Sequence, residues 1–345
     1  MSKTINLTKG FDIKLVGKAD KSIEDYSSET YVVKPVIDYL GIRPKICVEV
    51  GDEVKAGSPL VFNKDNERVI IASPVSGEIV EVVRGHRRSL DEVRVLADKK
   101  NEYEDFGKGD PSSMNRDEVI VKICKSGVFA GMMQRPFAIV ANPDDTPKAI
   151  FISCFDTFPL AADLNFVVEE EKEAFQTGIT ALTKLTEGTV HLNINGKGET
   201  SSVFQNAEGV QVNKFFGKHP AGCIGIQIHH LDPINKGEVA WYMNPQDVIT
   251  IGKLFLEGKY IPQRVIALTG QSVNKRQYYR TLAGACIDKL VENNVEEGNL
   301  RYITGNVLTG KQISEKGYLG YFDNQITVIP EGDQAEFMGW IMPSY

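Results

Sequence analysis

The sequence predicts a multidomain protein of mixed β and α/β class, and three observations carry that expectation. With 345 residues the chain is too long for one ordinary core. Residues 1–100 alternate short Val- and Ile-rich runs with Gly and Pro turns, which reads as small all-β structure. After a polar stretch the pattern changes to strand, helix, strand, the signature of a mainly parallel sheet covered by helices.

In the β part, "VEVGDEVKAGSPLVF" (Val48 to Phe62) puts Gly51-Asp52 and Gly57-Ser58 at turns between apolar runs. "ASPVSGEIVEV" (Ala72 to Val82) repeats the theme around Pro74 and Gly77. Together the two segments resemble the biotinyl/lipoyl carrier fold, a flattened β-sandwich that bears its cofactor on a hairpin lysine. Counting from Gly57 and Pro74 places that hairpin tip on Asn66 or Glu67, with Lys64 offset, so the expectation is the fold without its cofactor. Residues 101–115, "NEYEDFGKGDPSSMN", read as a linker.

Residues 116–259 form the α/β unit. "KAIFISC" (Lys148 to Cys154) and "TVHLNI" (Thr189 to Ile194) are strands by their apolar runs. Between them Phe175, Ile179, Leu182 and Leu185 recur at helical spacing, with acids at the start and Gly188 past the end. In "NPQDVITIGKLFLEG", Asn244 is the expected N-cap, Pro245 the first helical residue and Gly258 the stop. Residues 262–330 read as compact α+β. The strand "RVIALTG" opens that unit, followed by an expected helix with Tyr279, Leu282, Ala283, Cys286, Ile287 and Leu290 on one face.

Charge and cysteine usage exclude several functions. A net charge of -7 argues against nucleic acid, whose phosphates need a basic face, and Arg84 to Arg88 reads as a solvated loop tip. The five cysteines, Cys47, Cys124, Cys154, Cys223 and Cys286, show no Cys-x-x-Cys spacing. No apolar run approaches the roughly 20 residues of a membrane span, and the N-terminus has no secretory core.

Seven strings occur in an order that identifies a family. "KGFDIKLVG", "GIRPKICVEVGDEVKAG", "RPF", "FDTFPLAAD", "HPAGCIGIQIHHLDPI", "VAWYMNPQDVITIGKLFLEG" and "LTGQSV" together resemble the A subunit of the sodium-translocating NADH:quinone oxidoreductase of bacterial respiratory chains. The family pattern continues well past the Trp-x-Met-Pro found here at Trp340 to Pro343, which implies a C-terminally truncated chain. The resemblance further implies a Rossmann-like central domain similar to the NADH-binding subunit of complex I, and a β-grasp, SLBB-like third domain.

By the same resemblance the chain is a peripheral subunit on the cytoplasmic face of the bacterial inner membrane. Its partners would be the other subunits of the complex, especially the membrane-embedded flavin-bearing one, and quinone. The complex oxidises NADH, reduces quinone and exports Na+. FMN, FAD, riboflavin and an iron–sulfur cluster would belong to other subunits, leaving this chain without a redox cofactor. "GKGETS" (Gly196 to Ser201) lacks the third glycine of a dinucleotide loop and reads as a surface turn.

Two stretches are candidate sites. In "FAGMMQRPFAIV", Phe129, Met132, Met133 and Phe137 could face a quinone ring while Arg135 donates to a carbonyl. The other reading packs them at an interdomain joint with Arg135 pairing an acid. In "KHPAGCIGIQIHHLDPI", Ile224, Ile226 and Ile228 alternate as in a strand, which would point His229 and His230 to opposite faces and disfavour a metal site. His219 reads either as part of a turn or as a donor to quinone. Asp156 reads either as an oxygen ligand for sodium or, the better match, as an N-cap or turn acid. Two other functional classes remain open from residues alone: a stand-alone scaffold or binding protein with a lipoyl-like domain, and a soluble flavin or NADH oxidoreductase.

Overall fold

The computed structural model describes residues 2–98, 100–333, 335 and 337–341; Met342 and Pro343 of the Trp-x-Met-Pro string lie outside them. Two small antiparallel sheets build the first unit. One holds Thr30–Val33, Leu90–Ala97, Gly77–Arg84 and Glu53–Val54 in that order, the other Pro44–Ile46, Pro59–Asn63 and Asn66–Ala72. Leu60, Val61, Ile71, Ile79, Val93 and Val95 fill the core, each no more than 1% exposed. Asn63 pairs with Asn66, so the hairpin tip is Lys64-Asp65 and not Asn66 or Glu67. Asn66 instead donates to Asn142 and Asp144, and Arg68 pairs with Asp144, tying the hairpin to the central unit.

The central sheet has seven strands, ordered Thr4–Asn6, Gln211–Phe216, Thr189–Asn195, Ala149–Ser153, Ala240–Met243, Met133–Arg135 and Ile139–Val140. The first five are parallel, and Met133–Arg135 runs antiparallel to both of its neighbours, Ala240–Met243 and Ile139–Val140. Ala149–Ser153 is buried along nearly its whole length, as its unbroken apolar run requires. Helices Lys172–Thr183 and Pro245–Glu257 cover it and touch through glycine. A Cβ on Gly178 would stand 2.1 Å from the Val248 carbonyl oxygen, and one on Gly252 would stand 1.7 Å from that of Ala174. The Asn244 side chain caps the second helix at the Gln246 amide, and Gly258, at φ 74°, ends it.

The third unit is a six-stranded mixed sheet: Lys311–Ile313, Leu300–Thr304, Gln325–Pro330, Gln263–Thr269, Gln277–Leu282 and Asp20–Asp25. The N-terminal residues thus leave the first unit, Thr4–Asn6 edging the central sheet and Asp20–Asp25 the third.

Two further expectations are corrected. The helix expected through Tyr279 and Leu282 is the strand Gln277–Leu282, followed by a turn and the short helix Asp288–Val291. Its Tyr-Tyr-Arg-Thr run favours the pleat, and pairing with Gln263–Thr269 satisfies its backbone. Conversely, "IGIQIHHL" is the helix Ile224–Leu231, burying Gln227, Ile228 and Leu231. The isoleucine alternation there coincides with an i, i+4, i+7 face at 224, 228 and 231, an ambiguity inherent in short apolar runs. His229 and His230 are therefore helical neighbours, their rings 5.1 Å apart, rather than on opposite faces of a strand.

Candidate functional site: a cavity where three units meet

Strands Ala149–Ser153 and Ala240–Met243 lie side by side, but the chain leaves the first toward Thr189–Asn195 on its other flank. Connections diverge at this pair, and in open α/β sheets the crevice above such a divergence, at the carboxyl ends of the strands, is where ligands bind. A cavity of about 590 Å³ lies there, within the range of small-molecule sites. Ser153 and Met243, the last residues of the two strands, line it together with Asp156, Phe158 and Asn244 just beyond them.

Two other units complete the walls. Ile37, Asp38 and Leu40 come from the loop after Thr30–Val33, and Thr309, Lys311, Phe322, Asp323 and Asn324 from the third unit. The antiparallel strand Met133–Arg135 adds Met133 and Arg135, and the helix start at Ile224 adds Gly222 and Cys223.

The candidates from the sequence separate here. Met133 and Arg135 do line the cavity. The Arg135 guanidinium lies 5.3 Å from the ring centre of Tyr242, another lining residue, and its Nε is buried without a hydrogen-bond partner. Phe129 and Met132 do not; both are fully buried, and Phe129 packs edge-on against Trp241 at 5.7 Å. For them the packing reading holds. Phe137 is 82% exposed beside the lining Ala138. His219 sits one layer back, its Nδ1 3.1 Å from the Thr157 hydroxyl and its ring 4.7 Å from that of Phe158.

Sequence reading missed Asp323, Lys311, Tyr242 and the Asp38 loop as site residues. Asp156 is a turn acid as expected, accepting the Phe158 amide at 2.8 Å, and it also faces the cavity. Burial is the main influence on both Asp156 and Asp323 and pushes their carboxyls above the usual range; His219 opposes it at Asp156, and the Thr304 hydroxyl at Asp323. Burial also raises the Cys223 thiol and the Tyr242 phenol, Arg135 opposing in each. Asp38 accepts Lys311 Nζ at 3.2 Å and the Tyr321 amide at 3.1 Å. Behind Gly131, also in the lining, lies a fully buried ion pair, Asp247 with Arg264, and the guanidinium covers the Tyr321 ring at 4.7 Å. Among the described residues no group of three or more His, Cys, Asp or Glu is placed to hold a metal ion.

Comparison with known proteins agrees along the chain. Residues 5–98 match the NqrA N-terminal barrel-sandwich hybrid domain, 114–260 the NqrA second alpha/beta domain and 265–315 the NQRA C-terminal domain. The A subunit of the Na(+)-translocating NADH-quinone reductase of Yersinia pestis bv. Antiqua (strain Angola) is 38% identical over 342 residues, covering 98% of this chain and 76% of that protein. Its counterparts in Vibrio anguillarum and Photorhabdus laumondii subsp. laumondii are 37% and 36% identical over the same shares. A crystal structure of NAD+-reducing [NiFe]-hydrogenase overlaps 55% of this chain and 41% of its own at 9% identity, with a TM-score of 0.37. With every unit matched and such identity over nearly its whole length, the chain belongs to the NqrA family, the A subunits of the Na(+)-translocating NADH-quinone reductase.

Proposed function

We propose that the chain serves its NADH-quinone reductase complex as the peripheral subunit that holds the quinone headgroup, in the cavity between its three units. The observation that carries this is the make-up of the walls. Phe155, Phe158, Tyr242, Met133 and Met243 offer flat or adaptable apolar surface, and Arg135 offers a donor with a free Nε. The ionisable walls hold three carboxylates, Asp38, Asp156 and Asp323, against two cations, Arg135 and Lys311. Asp38 is held by Lys311, which leaves Arg135 as the unpaired cation of these walls among the described residues, a donor that suits a neutral ring with two carbonyl acceptors better than the charges of flavin or dinucleotide phosphates. The soluble flavin or NADH enzyme is therefore the weaker reading.

In this reading Met133 and Tyr242, partners across neighbouring strands, form one apolar face under the ring, Arg135 donates to one carbonyl, and Phe137 meets the substrate outside. His219 acts from behind by holding Thr157 and Phe158. The central unit is Rossmann-like and the third of the β-grasp, SLBB type. The subunit sits at the cytoplasmic face, docked on a membrane-embedded flavin-bearing partner, and electrons reach quinone from flavins and an iron–sulfur centre in other subunits. No helix among the described residues is long and apolar enough to cross a membrane.

The test replaces Arg135 with Ala and Phe137 with Ala in the assembled complex. Loss of a charged donor to the ring lowers kcat/KM for quinone by about 10- to 100-fold. Unchanged rate and unchanged quinone KM in a correctly assembled enzyme would refute the site.

A further inference from the structure

A para-quinone becomes a quinol by taking up two electrons and two protons, one proton at each end of the ring. Of the three carboxylates facing the cavity, Asp38 is committed on both oxygens, to Lys311 and to the Tyr321 amide. Asp156 and Asp323 are not. Neither forms an ion pair among the described residues. Each has one oxygen fixed by a neutral donor, Asp156 by the Phe158 amide at 2.8 Å and Asp323 by the Thr304 hydroxyl at 2.7 Å.

Their placement is complementary. Asp156 follows the strand Ala149–Ser153 on the central wall, whereas Asp323 precedes Gln325–Pro330 on the wall of the third unit. A flat ring held between these units would meet one carboxyl from each. We infer that Asp156 and Asp323 are the proton donors to the two quinone oxygens, an inference that rests on the quinone reading above.

The chemistry balances. Reduced flavin or iron–sulfur carriers elsewhere in the complex give up two electrons in all, together or one at a time, and are oxidised. The two C=O bonds become C–O bonds, each oxygen takes the proton of one carboxyl, and each carboxylate left behind is reprotonated from solvent water. A protonated carboxyl is a donor, and a general acid works best when its pKa approaches the working pH, the direction in which burial moves both groups. The charged and titratable groups acting on Asp156 are His219 and Cys223, with Arg135 beyond Cys223 in the same lining; those acting on Asp323 are Asp38, Lys311 and Lys34.

The experiment uses the assembled complex with Asp156→Asn, Asp323→Asn and the corresponding Glu variants. Quinone turnover is followed across the neutral pH range, and ubiquinone-1 binding is measured separately. The expected result is a kcat lowered by about 10²–10⁴-fold in each Asn variant, from the share of a general acid. Quinone affinity holds, and the Glu variants restore turnover with a displaced alkaline limb.

Asn variants that bind ubiquinone-1 and keep both the wild-type kcat and its pH profile would overturn the assignment while leaving the cavity as the quinone site. Failure of the wild-type chain to protect Cys223 from alkylation when ubiquinone-1 is bound would remove the site itself, and the proton donors with it. If an Asn variant does not assemble, its Glu variant decides: a moved pH limb supports the role and an unmoved one refutes it.

Discussion

Phe129 and Phe137 belong to one apolar stretch, yet the first is fully buried and the second 82% exposed. The first stands on the packed floor behind the cavity, with Trp241 and, beyond Gly131, the Asp247–Arg264 pair. The second stands beside the mouth, next to Ala138. The difference teaches that an aromatic run in sequence mixes two environments, a packed wall and an exposed turn. Side-chain type does not separate them; the backbone path does.

Several substitutions sharpen or break this contrast. Removing one partner of the floor's ion pair, as in Arg264→Met, strands a buried carboxylate and is expected to destabilise the protein by about 3–5 kcal/mol in urea unfolding. Asp247 already has one oxygen, Oδ2, without a partner. Phe129→Ala empties a packed site and is expected to remove about 3–5 kcal/mol as well. Phe137→Ala should change stability by no more than about 0.5 kcal/mol and act on quinone KM instead. Comparable stability losses in the two Phe variants would abolish the distinction between floor and mouth.

A pH scan probes the far side of the same sheet. His191 stacks on Phe151 with ring centres 4.7 Å apart, and burial pulls it down from 6.5 to about 4. As pH falls the unfolded chain takes the proton first, so stability is complete above the unfolded pKa and declines from about 6.5 toward 4, by at most ~3 kcal/mol. His191→Gln should flatten that window; an equally steep decline in the variant would show that other groups cause it. The smallest effect belongs to Arg68→Ala. It cuts the exposed bond to Asp144 that ties the hairpin to the central unit, and a loss below about 1 kcal/mol is expected.

Much of the architecture is legible locally. Caps and stops at Asn244, Pro245 and Gly258 work over a few bonds, and the apolar run Ala149–Ile152 with its two β-branched isoleucines reads as a covered strand. Errors arise where periodicity is degenerate, at Ile224–Leu231, or where strand pairing overrides an apparent helical face, at Gln277–Leu282. Of the site, Met133 and Arg135 are readable because they share a string with an aromatic cluster. Asp323, Lys311 and Asp38 are not, since each is an ordinary polar loop or edge residue until three units converge.

By itself, then, the sequence determined the classes of its units, the ends of its principal helix and its family, because these depend on short-range sterics, apolar patterning and ordered motifs. Only the tertiary structure decided which residues face the cavity and which carboxyls lose their water. Those properties arise from burial between segments as distant as Asp156 and Asp323, and no local pattern encodes that meeting.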